Sequence, residues 1–426
     1  MHVLIIGSGG REHALAWGIA RSEKTPRISC SPGNAGTAKL GKNVELDIDC
    51  ECDVPEFCAK EKVDLVIIGP EDPLVGGLAD VLRESGIRVF GPSSSAAQLE
   101  GSKIFGKEFC LRHGIPTASF KVFDEPYKAH VYIDKYIDDT AVVKADGLAA
   151  GKGAMVCDDP IDAHAAVDTC MVDHKFGSAG DRILIEERLT GFETTLLTLV
   201  SGQDYRKFPY SQDHKRAFDG NKGPNTGGMG VFAPTPKVTG ELDELITKKI
   251  VEPTVKGLAK DGIDYIGCLY FGLMITESGP SVIEFNVRFG DPEIQAVLPL
   301  IESDFLAALE ACVDGKPNKI QTVHSNKKAV SVILASNGYP GKYDKGVDIT
   351  ANVEVLESNE KILVFHAGTK RDRKKILTSG GRVLAVTALA DDFEDCRKIA
   401  YEAIGELDWT GLFYRKDIAR ELVPIK

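Results

Sequence analysis

Three stretches of this sequence concentrate groups that handle phosphate and hard cations. The first runs Val143-Lys144-Ala145-Asp146-Gly147-Leu148-Ala149-Ala150-Gly151-Lys152-Gly153-Ala154. A lysine closing an apolar run leads into a loop with three glycines and a second lysine. Glycines let backbone N–H groups come close to phosphate oxygens, and lysines supply the countercharge. Gly-Lys is followed here by glycine rather than Ser or Thr, and then by another apolar run rather than a helix, so this is not a Walker A loop. Taken alone, a flexible surface hairpin explains the segment equally well.

The second stretch is Val282-Ile283-Glu284-Phe285-Asn286-Val287-Arg288-Phe289-Gly290-Asp291-Pro292-Glu293. Alternation along a strand puts Glu284, Asn286 and Arg288 on one face, with Ile283 and Phe285 on the other. A carboxylate and an amide carbonyl two residues apart suit Mg²⁺, which takes oxygen ligands and shares them with phosphates. Arg288 is then placed to grip a carboxylate or a transferring phosphoryl group. The third stretch is Ser211-Gln212-Asp213-His214-Lys215-Arg216, followed by Gly223-Pro224-Asn225-Thr226-Gly227-Gly228-Met229-Gly230. So many functional groups and glycines cost stability as scaffold and suit a charged active-site loop. His214 reads as an ordinary loop histidine before a general base.

A fourth feature is the opening, Val3-Leu4-Ile5-Ile6-Gly7-Ser8-Gly9-Gly10-Arg11-Glu12-His13. The dinucleotide fingerprint of an oxidoreductase would need glycine at position 12, where the chain has Glu12, and no acidic residue closes the second strand. What remains is an anion site at a helix N-terminus, where N–H groups and the helix dipole favour negative charge.

Around these motifs the elements alternate. Val3–Ile6, Asp64–Ile68 and Ile87–Phe90 read as strands, each ending in glycine and separated by helices near 12–21 and 78–84, the pattern of a parallel sheet with crossover helices. Ligands sit beyond the carboxyl ends of such strands. Residues 93–113 read as one helix, and 161–171 and 241–261 as others. Ala141–Ala145, Arg182–Glu187, Leu196–Val200, Leu269–Ile275 and Val282–Phe285 read as strands. From about residue 326 the texture is β-rich, with strands at 329–334, 362–366 and 382–387 and a helix near 392–407.

The 426 residues suggest about three domains. A net charge of −12 argues against sequence-independent binding to nucleic acid or an anionic membrane, while leaving room for a local basic pocket. No apolar run approaches the roughly 18 residues of a spanning helix, and the N-terminus lacks a secretory pattern. Ten cysteines without a CxxC read as free thiols in a reducing compartment, so a cytoplasmic location is expected. Cys50, Cys52 and Cys58 lack a fourth ligand nearby, which disfavours a metal site.

Together KADGLAAGKG, SQDHKR, GPNTGGMG and FNVRFGDPE resemble the ATP-grasp family. With GSGGREHALAW, PGNAGT, IIGPEDPLV and GPSSSAAQLEGSK, nearly the whole chain is similar to the branch of phosphoribosylamine–glycine ligases. The resemblance implies an α/β architecture in three parts. These are a Rossmann-like parallel-sheet (pre-ATP-grasp) domain over 1–103, an α+β ATP-grasp domain over 104–322 with a mobile lid at about 123–190, and a β-rich α+β C-terminal domain over 323–426. It implies ATP-dependent ligation of glycine to 5-phosphoribosylamine through glycyl phosphate in purine synthesis, with Mg²⁺ or Mn²⁺, by a monomer.

By the same resemblance Lys103 and Lys144 contact ATP phosphates under a lid carrying Gly147, Gly151, Lys152 and Gly153. Glu186, Glu187 and Leu189 form the adenine hinge, Glu193 holds the ribose, and Glu284 and Asn286 ligate the metal. Asp213, Lys215, Arg288 and Asp291 serve glycine and the incoming amine, and Gly9, Gly10, Arg11 and Glu71 the phosphorylated sugar. The sequence departs from the pattern at Tyr270-Phe271-Gly272-Leu273, where many ATP-grasp enzymes carry a second metal-binding carboxylate. It also has Phe192, Thr194 and Thr195 around Glu193, and Ala154 after the Gly-Lys-Gly.

Overall fold

The N-terminal strand His2–Gly7 is buried along its whole length and pairs in parallel on both sides, with Arg27–Pro32 and with Leu65–Ile68. Continuous apolar runs of this kind suit a sheet covered on both faces. The full order is 42–43, 27–32, 2–7, 65–68, 89–90, all parallel. Sequential strands therefore build outward to one side and then to the other, and the order reverses beside His2–Gly7. The turns at Gly7-Ser8 and Gly69-Pro70 both leave the sheet at that reversal, where such sheets open a crevice for ligands. The computed structural model describes residues 1–149, 153–319 and 321–423.

Residues 93–113 form two helices, Ser94–Gly101 and Lys103–Arg112, instead of one. The break is Ser102, whose backbone is extended and whose hydroxyl caps the second helix through Phe105 N–H at 3.1 Å. Serine competes for helix hydrogen bonds through its side chain, which periodicity does not register. The break is useful, because it aims Ser102 and Lys103 at the glycine-rich loop.

That loop belongs to a four-stranded antiparallel sheet ordered 120–123, 183–187, 141–145, 154–157. Helices Pro126–Tyr136 and Pro160–Val167 cover it, each with proline at its start, and the second is capped by Asp159 accepting from Asp162 N–H at 2.8 Å. Ile133, Val143, Ala163 and Ile185 form a core of their own. Full burial of a side chain like Ile133 contributes ~2 kcal/mol. This unit therefore holds together around its own hydrophobic cluster.

A second antiparallel sheet, ordered 204–207, 192–201, 266–276, 279–286, faces it. The 241–261 segment is helical throughout but passes through a π turn at Thr247–Val251. The third large sheet joins Lys328–Ser336, Arg382–Ala390 and Ile362–His366 with two short strands from the middle of the chain, Gln212–Asp213 and Gly230–Ala233. The SQDHKR and GPNTGGMG segments thus run from the central unit into the C-terminal sheet and back. Among the described residues no helix is long and apolar enough to cross a membrane.

Candidate functional site

Lysines from strand Ala141–Ala145 and from helix Lys103–Arg112 cluster beside the glycine-rich loop. Lys144, on strand Ala141–Ala145, pairs with Glu186 and donates to Ile283 O at 3.1 Å. Lys107 reaches the same carboxylate at 2.5 Å and Thr117 Oγ1 at 2.7 Å. Lys103 donates to Gly147 O at 2.8 Å, and burial holds its pKa below the ordinary lysine value. Glu186 is buried between two ammonium groups, so its side chain sets the position of both lysines. Glu187 is exposed at the strand's end and Leu189 half-buried just beyond it. Gly153 O accepts from Ala145 N–H at 2.9 Å, while Gly151 and Lys152 lie outside the described residues.

Beside these lysines, Glu284 and Asn286 project from strand Gly279–Asn286. Burial works to raise the Glu284 pKa, but Lys215, Lys144 and Lys103 outweigh it and keep the carboxylate ionised. Its strand neighbour is Gly272, where a Cβ would stand 3.1 Å from Glu284 Cγ. Glycine at 272 thus leaves room for the Glu284 side chain. Ionised Glu284 and the amide oxygen of Asn286 form a hard-oxygen pair that fits Mg²⁺ or Mn²⁺. Glu193, on the adjacent sheet strand pair, meets Lys215 Nζ at 3.2 Å, and Lys215 lies 3.8 Å from Glu284.

Arg288 lies past the strand end and is held from several sides. Its Nε donates to Glu71 at 3.0 Å, and its Nη2 meets Glu100 at 2.8 Å and Asn286 Oδ1 at 3.3 Å. Glu100 also accepts Val287 N–H at 2.7 Å. Burial pushes the Glu100 pKa up to about 7 against the pull of Arg288. Glu71 goes the other way, to about 2, because Arg288 and Arg11 more than offset its burial.

Asp213 sits between cations and anions. Burial raises it to about 7, Lys215 opposes that, and Glu293 and Glu193 add to it. Glu293 is itself buried, accepting from Tyr270 Oη at 2.9 Å, while Tyr270 receives Thr195 Oγ1 at 3.0 Å. His214 faces away from this cluster: its Nε2 receives Ala419 N–H at 3.4 Å and its ring packs on Phe232.

The opening turn is filled from within. Glu12 folds back so that Oε2 accepts Gly9 N–H at 2.5 Å and Oε1 pairs with Arg11 Nε at 2.6 Å. Its carboxylate fills the gap between the two strand ends, where a Cβ on Gly69 would stand 2.1 Å from Oε1. Arg11 is 9% exposed and committed to Glu12, Phe289 O at 3.3 Å and Glu71 at 3.7 Å. The Arg11 N–H faces Asp291 and helps hold it ionised; the Asp291 carboxylate also receives Gln295 at 2.8 Å and lies 3.3 Å from Arg382. Despite burial, Arg382 and Arg11 keep the Asp291 pKa below the usual carboxylate value. The helix N-terminus does attract anions, as the sequence implies, and two of them are the protein's own side chains.

The structure brings Lys103, Lys144, Asp213, Lys215, Glu284, Asn286, Arg288 and Asp291 into one connected group of charges, with Gly9, Gly10, Arg11 and Glu71 at its far end. It adds Glu12, Glu100, Lys107, Glu293 and Arg382, which the motif reading did not single out. Glu12, Glu100 and Glu293 lie inside the family-like motifs, although the sequence alone gives them no role in the site. Arg382 carries no local signal: it is brought to Asp291 from 91 residues away by the C-terminal sheet.

A likeness in fold alone is seen to the biotin carboxylase domain of the Hydrogenobacter thermophilus 2-oxoglutarate carboxylase, solved with MgADP and bicarbonate. The identity is 14% and the TM-score 0.73, covering 100% of this chain and 99% of that one. Residues 101–294 match the ATP-grasp (A) domain of phosphoribosylglycinamide synthetase, so the class is that of the ATP-grasp ligases. Residues 1–100 and 329–421 match the N and C domains of the same enzyme, and the chain belongs to the phosphoribosylglycinamide synthetase family. It is 43% identical over 422 residues to the phosphoribosylamine–glycine ligase of Caldanaerobacter subterraneus subsp. tengcongensis, covering 98% of this chain and 99% of the relative. The crystal structure of the phosphoribosylamine–glycine ligase from Thermotoga maritima is 33% identical with a TM-score of 0.83, covering 98% of this chain and 100% of that one.

Proposed function

We propose that this chain joins glycine to 5-phosphoribosylamine at the expense of ATP, giving glycinamide ribonucleotide, ADP and phosphate in purine synthesis. The observation that carries the reading is that Lys144 from one segment meets Glu284, with Arg288 close by, from another about 140 residues further along the chain. A glycine carboxylate oxygen attacks the γ-phosphorus and ADP leaves; the amine nitrogen then attacks the acyl carbon of glycyl phosphate, and phosphate leaves. Such transfers need charge neutralisation and alignment more than a covalent catalyst, and the site offers lysines, arginines and oxygen ligands.

In this reading Lys103 and Lys144 hold ATP phosphates beneath the lid, with Gly147, Gly151, Lys152 and Gly153 contributing from the loop. Glu186, Glu187 and Leu189 frame adenine, and Glu193 the ribose. Glu284 and Asn286 would hold Mg²⁺ or Mn²⁺, which neutralises phosphate charge when bound. Arg288 takes the glycine carboxylate, Asp213 its ammonium group, and Asp291 positions the incoming amine. Gly9, Gly10, Arg11 and Glu71 shape the sugar-phosphate end. The chain carries the whole site and works as a monomer in the cytoplasm, a compartment that suits its ten cysteines.

The test is phosphate release from ATP, Mg²⁺ and glycine, with and without phosphoribosylamine generated in situ. Release that depends on both glycine and the amine is expected. Release indifferent to either one overturns the assignment. Replacing Arg288→Lys should lose turnover mainly at phosphoryl transfer, because lysine cannot bridge Glu71 and Glu100 while facing substrate.

A further inference from the structure

We infer that Arg382, supplied by the C-terminal sheet, is the cation that grips the phosphate of the sugar-phosphate acceptor; this rests on the function proposed above. Arg11 is the cation nearest the opening turn in sequence, yet its guanidinium is buried and engaged with Glu12, Glu71 and Phe289 O. Arg382 reaches the same place from the other side of Asp291. Its Nη1 donates to Gly227 O at 2.7 Å and Asp291 O at 2.8 Å, and lies 3.3 Å from Asp291 Oδ1.

Among the described residues, the polar contacts of this guanidinium all fall on Nη1, and its side chain is 20% exposed. The edge made by Nε and Nη2 therefore has its N–H groups to offer. Two parallel N–H groups on one planar edge match a phosphate or carboxylate in bidentate fashion. The carbonyls on Nη1 fix the plane of the group in advance, so little freedom is lost on binding.

The first glycine of the pair in the GPNTGGMG loop has its explanation here; the second, Gly228, has a left-handed backbone and lies against Pro292. A Cβ on Gly227 would stand 3.0 Å from Arg382 Cζ and 3.1 Å from Nη2. Glycine thus lets the guanidinium lie flat against the loop. The position selects the acceptor phosphate over the glycine carboxylate. Asp291, with Arg382 on one oxygen and Gly9 and the Arg11 N–H beside it, stands at the N-terminus of the opening helix, at the sheet's topological reversal. Arg288 with Asn286 stands instead toward the metal and nucleotide end.

The experiment titrates ribose 5-phosphate, a stable stand-in for the acceptor, into wild type, Arg382→Ala and Arg382→Lys by calorimetry. ADP and glycine are titrated in parallel. Arg382→Lys keeps a cation for the carbonyls but lacks the bidentate edge, so it stays informative if the alanine variant folds poorly. Ribose 5-phosphate affinity is expected to fall roughly tenfold or more in both, with ADP affinity within about twofold of wild type. Unchanged ribose 5-phosphate affinity in Arg382→Lys overturns the inference, as does a loss confined to glycine. If wild type itself fails to bind ribose 5-phosphate and shows no acceptor-dependent phosphate release, the underlying function is at fault instead.

Discussion

Gly69→Ala is the most direct test of how the opening turn is built. Gly69 has no left-handed backbone, so alanine brings no conformational strain there; the cost comes from what its Cβ meets. That Cβ would lie 2.1 Å from Glu12 Oε1 and 2.7 Å from Glu12 Cγ. Overpacking of this kind costs ~1–3 kcal/mol. Displacing the Glu12 carboxylate also strands the Gly9 N–H it accepts at 2.5 Å and loosens Arg11 at 2.6 Å. An unmet buried donor adds ~1–3 kcal/mol, for a total of about 3 kcal/mol. Glu12→Ala vacates the space, so in that background Gly69→Ala should cost under ~1 kcal/mol, a coupling of ~2 kcal/mol. Urea unfolding of the four proteins, followed by far-UV circular dichroism, reads the cycle directly. Costs that simply add, within ~0.5 kcal/mol, would refute the idea that Gly69 is glycine to make room for Glu12.

Three further outcomes are expected. Asp213 grips an ammonium group only when ionised, so kcat/KM for glycine should rise with pH through about 7; Glu293→Gln removes a neighbouring negative charge and should move that limb down by ~1 pH unit. The same residue's raised pKa makes the folded state hold the extra proton, so its contribution to stability falls as pH rises from 3.8 to about 7, visible as a lower melting temperature that Asp213→Asn removes. Glu186→Gln leaves Lys144 and Lys107 facing a neutral amide, and should destabilise the protein by ~3–5 kcal/mol and raise the KM for ATP; an unchanged melting temperature would show that the pair is not needed.

Much of the site was legible because its chemistry is local. Glu284 and Asn286 share a face by strand alternation, whereas Arg288, expected on the same face, lies just past the strand's end and reaches back to Asn286; the lysine–glycine loop after Ala141–Ala145 is read from contiguous residues. The single-helix reading of 93–113 failed at Ser102, where a hydroxyl ends one helix and caps the next. Periodicity counts apolar positions and does not register such a competitor.

By itself the sequence determined the alternation of strands and helices, the turn chemistry at Gly7 and Gly69, and which segments hold the reactive groups. These are set by interactions within a few residues. Tertiary structure alone decided which charges meet. It gave the helix N-terminus to Glu12 and Asp291, bound Arg288 between Glu71 and Glu100, and carried Arg382 across to the opening turn. The physical reason is that a buried charge must find its partner wherever the fold brings one within about 4 Å, and that distance is set by sheet order rather than by spacing along the chain.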